Sequence, residues 1–362
     1  MLLSLGIIGL PNVGKTTLFN ALTRAGAEAS NYPFCTIDQN IGVAEVPDER
    51  LHQLNALLKP VECTPTTLQF IDIAGVVKGA NRGEGLGNQF LAHIREVDAI
   101  LHVVRCFEND EVAHVSGEVD PVRDVDTVNT ELALADLETV EQAVERLGKR
   151  PKGGDATVVL ELEVLKTIRD GLSAGKTVRD LDLQEQVRDL IASYHLLTAK
   201  PVLYIANLGE IGGSVERGYV GRLQTFVGET HILTVAARFE DELFDLTEEE
   251  RESFLSEMGF EEGGLVRVVT ASYRLLDLIT FYTTVHNKLR AWQVKRGTSI
   301  YDAAKKIHSD IQRGFIRAEV ASYKDFVDCG NIVELHHRGL LRIEGRDYKV
   351  HDGDVIHILF KV

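Results

Sequence analysis

The feature that most constrains the fold is a short segment near the N-terminus, Gly9-Leu10-Pro11-Asn12-Val13-Gly14-Lys15-Thr16. It has the spacing G-x-x-x-x-G-K-[ST] of a phosphate-binding loop. An apolar run, Leu5-Gly6-Ile7-Ile8, precedes the segment, and a helical pattern follows it. A strand, a glycine-rich loop and a helix in this order point free backbone N–H groups and a helix N-terminus at phosphate oxygens. The chain is therefore predicted to contain a P-loop domain.

The P-loop positions have separate expected roles on a nucleoside triphosphate. Lys15 is expected to reach the β- and γ-phosphates and to act in catalysis, and the Thr16 hydroxyl is expected to ligate Mg²⁺. Other positions of the loop and of the first helical turn are expected to contact the nucleotide: Asn12, Val13, Gly14 and Thr17. The segment thus predicts a Mg²⁺-dependent nucleoside triphosphatase.

Further phosphate-site residues lie downstream of the P-loop. Asp72 opens a D-x-x-G motif after an apolar strand and is expected to hold Mg²⁺, while the Gly75 N–H is expected to meet the γ-phosphate. Thr36, in the loop between these motifs, is the expected second side-chain ligand of the ion. Val76 occupies the position where many GTPases have a glutamine that orients water. Another group must position the water, or hydrolysis must be slow.

The strand that precedes Asn207-Leu208-Gly209-Glu210 places this segment where GTPases read guanine with N-K-x-D. Leu208 replaces the stacking lysine, and Glu210 replaces the aspartate with a longer side chain. A carboxylate only accepts hydrogen bonds, so it cannot pair with adenine N1, whereas the Asn207 amide suits adenine N7 and N6. Backbone N–H groups of Ala236 and Ala237 are expected to meet the base as well.

The apolar patterns divide the chain into three parts. Residues 1–118 and 201–277 alternate short buried strands with helices, which predicts an α/β, doubly wound, mostly parallel sheet. Residues 119–200 carry apolar stripes at helical spacing, which predicts a helical, coiled-coil-like insertion. Residues 278–362 show short strands and one helix, typical of a small α+β domain.

Charge and composition narrow the classes of partner. The net charge of −16 argues against general nucleic-acid binding, yet residues 278–362 hold 14 Lys and Arg against 10 Asp and Glu, a surplus of +4. This local surplus is consistent with an RNA contact or, equally, with a solvated mixed-charge surface. No apolar run approaches the ~18 residues that span a bilayer. Scattered cysteines and the lack of a secretory signal predict a cytoplasmic protein without a membrane partner.

Several motifs together resemble the YchF subgroup of the Obg-related P-loop proteins, the Obg-like ATPases. The likeness covers essentially the whole chain. The residues that carry it are the P-loop, Asn31-Tyr32-Pro33-Phe34-Cys35-Thr36-Ile37, Asp72-Ile73-Ala74-Gly75, Gly83-Glu84-Gly85-Leu86-Gly87-Asn88, Asn207-Leu208-Gly209-Glu210 and Gly314-Phe315-Ile316-Arg317-Ala318-Glu319-Val320.

The resemblance implies a C-terminal TGS domain with a β-grasp fold, hydrolysis of ATP in preference to GTP, and association with the ribosome or ribosomal RNA. Phe107-Glu108-Asn109-Asp110 matches a family motif, and it implies a nucleotide contact at Phe107 and a role in hydrolysis for His114. Asn12 resembles the asparagine that coordinates K⁺ in some related GTPases, so K⁺ is a candidate second ion beside Mg²⁺.

Two classes of function remain open. In the first, the chain is a monomeric switch whose ATP and ADP states differ in affinity for the ribosome. In the second, it is a binding and regulatory protein in which nucleotide is mainly structural and hydrolysis is incidental; Val76 keeps this class open. An ordinary GTPase is a third alternative, which Asn207-Leu208-Gly209-Glu210 disfavours.

Overall fold

The computed structural model describes residues 3–27, 40–73, 86–149, 156–209, 213–257, 260 and 262–361. The strands of these residues are β1 (Ser4–Ile8), β2 (Ile41–Glu45), β3 (Glu62–Thr64), β4 (Thr67–Asp72), β5 (Ala99–Arg105), β6 (Val202–Asn207), β7 (Ile232–Val235), β8 (Leu278–Val285), β9 (Lys288–Lys295), β10 (Phe315–Ser322), β11 (Arg342–Glu344) and β12 (Asp354–Phe360).

The α-helices of the same residues are α1 (Lys15–Ala27), α2 (Glu49–Leu58), α3 (Leu86–Glu96), α4 (Pro121–Gly148), α5 (Ala156–Ser173), α6 (Glu185–Ile191), α7 (Ser214–Val227), α8 (Ala237–Glu242), α9 (Glu248–Glu257), α10 (Gly264–Leu275), α11 (Ile300–Ile307), α12 (Ser309–Arg313), α13 (Tyr323–Cys329) and α14 (Ile332–His337). Among the residues described, none of these helices combines the length and the apolar character that crossing a membrane requires.

The chain forms two compact units. The first comprises Met1–Val43 and Gln69–Val268, and the second comprises Ala44–Leu68 and Val269–Val362. The sequence did not anticipate that residues 44–68 belong with the C-terminal part. The division into 1–118 with 201–277, 119–200 and 278–362 stays a prediction.

The first unit is built on a sheet with the strand order β2-β4-β1-β5-β6-β7. Strand β1 pairs in parallel with both β4 and β5, and β5, β6 and β7 continue the parallel pairing. All residues of β1, β5 and β6 are buried, as expected for a parallel sheet that is covered on both faces. The α/β prediction is therefore confirmed. Because β1 lies between β4 and β5, the loops after these strands meet at one edge of the sheet, where ligands bind in such folds.

Two long helices, α4 and α5, form the predicted helical insertion. Helix α4 begins at Pro121, and the Asp120 carboxylate caps it by accepting hydrogen bonds from the Val122 and Arg123 N–H groups. The predicted stripes of both helices face one apolar cluster, with Val140 and Ile168 at its centre. A shorter helix, α6, follows them and ends at residue 191, where a single 3₁₀ turn begins.

The second unit contains a mixed sheet with the order β11-β10-β12-β8-β9-β3. Parallel pairing of β12 with β8 and antiparallel pairing of β8 with β9 and of β10 with β12 give the predicted small α+β domain. Helix α11 packs on one apolar cluster, and the Ser299 hydroxyl caps it by accepting from the Asp302 N–H. The single helix expected here is divided at His308, which ends α11 and caps the N-terminus of α12.

Residues 44–68 complete this unit. Strand β3 pairs in parallel with β9, and Leu51 and Leu54 of α2 join an apolar cluster with Tyr282 and Phe326. The charged end of α2 is fixed as well, since Arg50 donates to the Asp352 carboxylate at 2.9 Å. Residues 44–68, although they lie between the P-loop and Asp72 in sequence, therefore serve the packing of the C-terminal sheet.

Candidate functional site

The P-loop is shaped by two glycines with positive φ. Gly9 has φ +150° and Gly14 has φ +93°, values that L side chains rarely adopt. A Cβ atom at Gly9 would overlap the Val103 carbonyl oxygen of β5, and one at Gly14 would overlap the Asn207 side chain. The loop therefore lies against the ends of β5 and β6, as a phosphate-binding turn at this sheet edge requires.

Lys15, the first residue of α1, is folded onto the P-loop. Its Nζ donates to the Leu10 carbonyl at 2.8 Å, and the residue is 9% exposed. Burial lowers the pKa of this ammonium, and the nearby Asp72 carboxylate opposes the shift. The loop thus holds a cation beside the backbone N–H groups that α1 leaves free at its N-terminus.

Thr16 and Asp72 meet at the carboxyl ends of β1 and β4. The Thr16 hydroxyl donates to Oδ2 of Asp72 at 2.8 Å. Both side chains offer oxygen atoms as metal ligands, and oxygen is the ligand atom that Mg²⁺ prefers. Within the described ranges no group of three or more His, Cys, Asp or Glu could hold a metal; a Mg²⁺ site that draws its other ligands from phosphate and water needs no such group. Thr36 and Gly75 lie outside the described residues.

Asn207, at the end of β6, joins three loops. Its Nδ2 donates to the Val13 carbonyl at 2.8 Å, and its Oδ1 accepts from the Ala237 N–H at 3.0 Å. The adjacent Leu208 N–H donates to the Val235 carbonyl. One Nδ2 hydrogen and one Oδ1 lone pair are not used by these bonds. These hydrogen bonds therefore fix the position of the P-loop relative to the predicted base-reading loop. Glu210 lies outside the described residues.

The residues after β5 form a loop, 106–113, that we name the Phe107 loop. Its backbone is bound by Arg105, whose guanidinium donates to three carbonyls of the loop. Burial lowers the pKa of Arg105, and the Asp124 carboxylate opposes this shift. The Asn12 amide reaches the loop from the P-loop and donates to the Ala113 carbonyl at 3.2 Å.

His114 follows this loop and is buried. Its Nε2 lies 2.9 Å from Oδ2 of Asp124 in the first turn of α4, and its Nδ1 accepts from the Ser116 N–H. Burial raises the pKa of Asp124, and the hydrogen bond from His114 opposes the rise. The other carboxylate oxygen, Oδ1, is buried without a hydrogen-bond partner among the described residues.

These elements enclose a cavity of about 590 Å³. The predicted site residues that line it are Asn12, Gly14, Lys15, Thr16, Thr17, Phe107, Asn207 and Leu208. Val13 and Ala237 are buried behind it, and Ala236 lines a separate cavity of about 320 Å³ that also contacts Leu208. His114 does not line the larger cavity.

Sequence reasoning missed several residues that line the larger cavity. Glu108, Asn109 and Val112 belong to the Phe107 loop. Their closeness in sequence to Phe107, a predicted nucleotide contact, could have indicated them. Gly209 lies within the predicted base-reading segment, and Arg238 directly follows Ala237 at the start of α8. The hydrogen bonds of Arg105 could not be predicted from the sequence, because a basic residue at the end of a strand can serve many different purposes.

A P-loop between β1 and α1, an aspartate at the end of β4 and an asparagine at the end of β6 define a P-loop nucleotide-binding protein of the GTPase type. A family model described as a 50S ribosome-binding GTPase matches residues 4–142. The model of the YchF GTPase C-terminal family, described as a protein of unknown function, matches residues 278–361.

Similar proteins extend these matches over the full chain. The chain is 47% identical to the ribosome-binding ATPase YchF of Bacillus subtilis over 100% of both chains. It is 50% identical to the protein of the same name from Haemophilus influenzae over 99% of both chains. The solved structure of the Schizosaccharomyces pombe YchF GTPase matches with a TM-score of 0.88 and 33% identity, over 99% of this chain and 97% of that one. The chain belongs to the YchF family.

Proposed function

We propose that this chain is a Mg²⁺-dependent, ATP-hydrolysing molecular switch that binds ATP in preference to GTP and associates with the ribosome. The observation that carries the proposal is the cavity that residues of the P-loop line together with Phe107, Asn207 and Leu208. Relatives that are about half identical over their full length carry the name of a ribosome-binding ATPase.

The P-loop end of the cavity suits a triphosphate. Lys15 would exchange its bond with the Leu10 carbonyl for the β- and γ-phosphates, a favourable exchange because a charged acceptor makes a stronger hydrogen bond. Thr16 and Asp72, with Thr36, would hold Mg²⁺, and the Gly75 N–H would meet the γ-phosphate. When bound, the metal neutralises charge that develops on the phosphate oxygens.

The part of the cavity that Phe107 and Leu208 line suits a purine base without the usual guanine contacts. Phe107 and Leu208 present apolar surface to it, and no lysine stands at position 208 to stack on the base. The Nδ2 hydrogen and the Oδ1 lone pair of Asn207 that the internal bonds leave over suit the Hoogsteen edge of adenine, where N7 accepts and N6 donates. Glu210 is the proposed determinant against guanine.

The remaining parts of the proposal concern hydrolysis, ions and partners. His114 is the proposed group that acts on the attacking water, because Val76 cannot. K⁺ beside Asn12 is a proposed second ion. The C-terminal β-grasp (TGS) domain is the proposed ribosome-docking part, ADP the product that resets the switch, and a cytoplasmic monomer the proposed form of the protein.

A second function is favoured by one observation. Both ring nitrogens of His114 are engaged by Asp124 and Ser116, so the ring offers no free nitrogen to a water in this conformation. A binding and regulatory protein in which nucleotide is structural and hydrolysis incidental fits that geometry without change. The printed descriptions of the matching family model and of the Schizosaccharomyces pombe structure name a GTPase, so GTP hydrolysis is the third alternative.

Equilibrium titration of one preparation with ATP and with GTP, in the presence of Mg²⁺, tests the proposal first. ATP should bind more tightly, since loss of a charged guanine contact removes about 1.5–3 kcal/mol, roughly 10- to 150-fold in affinity. Hydrolysis is then measured with and without ribosomes. Tighter binding of GTP would overturn the nucleotide preference, and ATP turnover that stays negligible with ribosomes would favour the regulatory alternative.

A further inference from the structure

Arg105 is a buried cation that binds carbonyl groups of a single loop. It is the last residue of β5 and is 2% exposed. Its Nε donates to the Phe107 carbonyl at 3.1 Å, its Nη1 to the Val112 carbonyl at 2.9 Å, and its Nη2 to the Asn109 carbonyl at 3.2 Å. The guanidinium carbon also lies 4.7 Å from the centroid of the Phe107 ring. One side chain thus binds carbonyl groups near both ends of the Phe107 loop and in its middle.

The same loop forms a wall of the nucleotide cavity. Phe107, Glu108, Asn109 and Val112 all line that cavity. The ends of the loop are tied to other walls, because the Cys106 N–H donates to the Asn207 carbonyl at 2.9 Å and the Asn12 amide reaches Ala113. The loop between these ties contains no helix or strand of its own.

If such a loop became ordered only when ligand binds, the ordering would cost free energy and weaken the affinity. A guanidinium suits the task of ordering it in advance. It is planar and carries five N–H donors in a fixed arrangement, so it can satisfy several carbonyls in one plane while a lysine ammonium cannot. The carboxylate of Asp124 lies close enough to favour its charge.

We propose that Arg105 is a positioning residue for nucleotide binding, which holds the Phe107 loop in the shape that receives the nucleotide. The inference rests on the proposed function, since it assumes that the cavity binds ATP. Arg105 does not touch the nucleotide in this scheme. It acts through Phe107 and the loop backbone.

The test compares mant-ATP binding by wild type, Arg105→Ala, Arg105→Lys and a matched control, Arg179→Ala. Arg179 also donates to loop carbonyls, those of Thr198 and Lys200, and to the Asn129 side chain, and it does not line the nucleotide cavity. Thermal unfolding of each variant is recorded with and without ATP. Guanidinium at millimolar concentration is added to Arg105→Ala, with urea as the control additive.

Arg105→Ala is expected to weaken mant-ATP binding by at least about tenfold. Millimolar guanidinium should restore part of that loss and urea should not. Arg105→Lys should be intermediate, because it keeps the charge without the planar donor set. Arg179→Ala should lose thermal stability and keep the affinity of the wild type within about twofold.

Wild-type affinity in a folded Arg105→Ala or Arg105→Lys variant would overturn the proposal. Equal losses of affinity in the Arg105 and Arg179 variants would also overturn it, since the effect would then follow general stability. If neither Arg105 variant folds, the residue stabilises the whole unit and the proposal is wrong. Failure of the wild type to bind mant-ATP would instead overturn the proposed function, so the two failures are distinguishable.

Discussion

The Nε2 atom of His114 lies 2.9 Å from Oδ2 of Asp124, and the two side chains are only 3% and 4% exposed. The Ser116 N–H donates to the other ring nitrogen, Nδ1, so Nε2 is the nitrogen that donates to Asp124. The pair joins the end of the Phe107 loop to the first turn of α4. A catalytic role for His114 therefore requires that the ring give up its contact with Asp124 or with the Ser116 N–H when nucleotide or ribosome binds.

His114→Ala is expected to leave the affinity for ATP within about twofold of wild type and to lower single-turnover hydrolysis by roughly 100-fold, the usual contribution of a positioned acid–base group. The physical reason is that His114 does not line the cavity proposed to bind ground-state nucleotide. His52→Ala, at an exposed position of α2, is the control. Unchanged hydrolysis in His114→Ala would assign the histidine to the structural pair with Asp124.

Lys15→Ala is expected to weaken ATP binding by at least about 100-fold, because the ammonium would contact phosphate already in the ground state. The unliganded protein should lose no more than about 1 kcal/mol of unfolding free energy, since one neutral acceptor, the Leu10 carbonyl, is left without its donor. Calorimetric titration and urea unfolding measure the two effects. Lys166→Ala, exposed on α5, should change neither, and retained ATP binding in Lys15→Ala would exclude the P-loop as the binding site.

Gly209→Ala is expected to weaken ATP binding several-fold. A Cβ atom at position 209 would lie 3.0 Å from the Phe107 Cβ, closer than ordinary contacts, so the wall formed by Phe107 must shift. Gly218→Ala is the matched control: it lies in α7, and apart from its chain neighbours and its own helix backbone no atom of the described residues lies within 4 Å of the added Cβ. Alanine should stabilise that helix by about 0.5–1 kcal/mol. The prediction fails if both alanine variants bind ATP as the wild type does.

His102 is expected to make the protein less stable in acid. Burial, with smaller contributions from Arg179 and Lys15, lowers its pKa from 6.5 to about 3. Between these values the unfolded chain takes up a proton that the folded protein refuses, so the free energy of unfolding should fall by up to about 1.4 kcal/mol per pH unit as pH decreases below 6.5. The stability that the neutral ring contributes is fully present above pH 6.5.

Urea unfolding at several pH values between 7.5 and 5 tests this expectation. His102→Gln should show a shallower fall of unfolding free energy with decreasing pH than the wild type, whatever its stability at neutral pH. His52→Gln, at an exposed site, should keep the wild-type slope. Identical slopes in wild type and His102→Gln would mean that the buried imidazole does not titrate as described.

Charge reversal at Lys295 and Arg317 is expected to weaken ribosome binding by at least about tenfold and to reduce its salt dependence, since each phosphate contact releases counterions. Both side chains are exposed, whereas Arg296 and Arg313 already pair with Asp277 and Asp310. Co-sedimentation of Lys295→Glu/Arg317→Glu with ribosomes measures the effect.

The control for charge alone is Lys166→Glu/Lys176→Glu, which makes the same change on the exposed surface of the helical insertion. Truncation after residue 277 is a poor substitute, because it would remove the partners of Leu51 and Leu54 in the apolar cluster. Equal binding by the two charge variants would move the docking surface away from the start of β10 and the end of β9.

The sequence by itself determined the P-loop and the strands that carry it. Gly9 and Gly14 hold positive φ, a conformation that depends on the residue itself, and the apolar runs of β1, β5 and β6 are long enough to specify a covered parallel sheet. The positions of Thr16 and Asp72 followed from these elements, because parallel strands end at one edge of the sheet. Their contact at 2.8 Å agrees with that expectation.

Only the tertiary structure decided how residues distant in sequence share hydrogen bonds and packing. Asn207 binds Val13 and Ala237, Arg105 closes the Phe107 loop, and His114 is held by Asp124. Residues 44–68 joined the C-terminal sheet although they lie between two nucleotide motifs. Local propensity and periodicity specify which residues form an element and which face is buried. The choice of partner depends on the summed packing of several elements and on which buried donors and acceptors remain to be satisfied, and these quantities exist only in the folded chain.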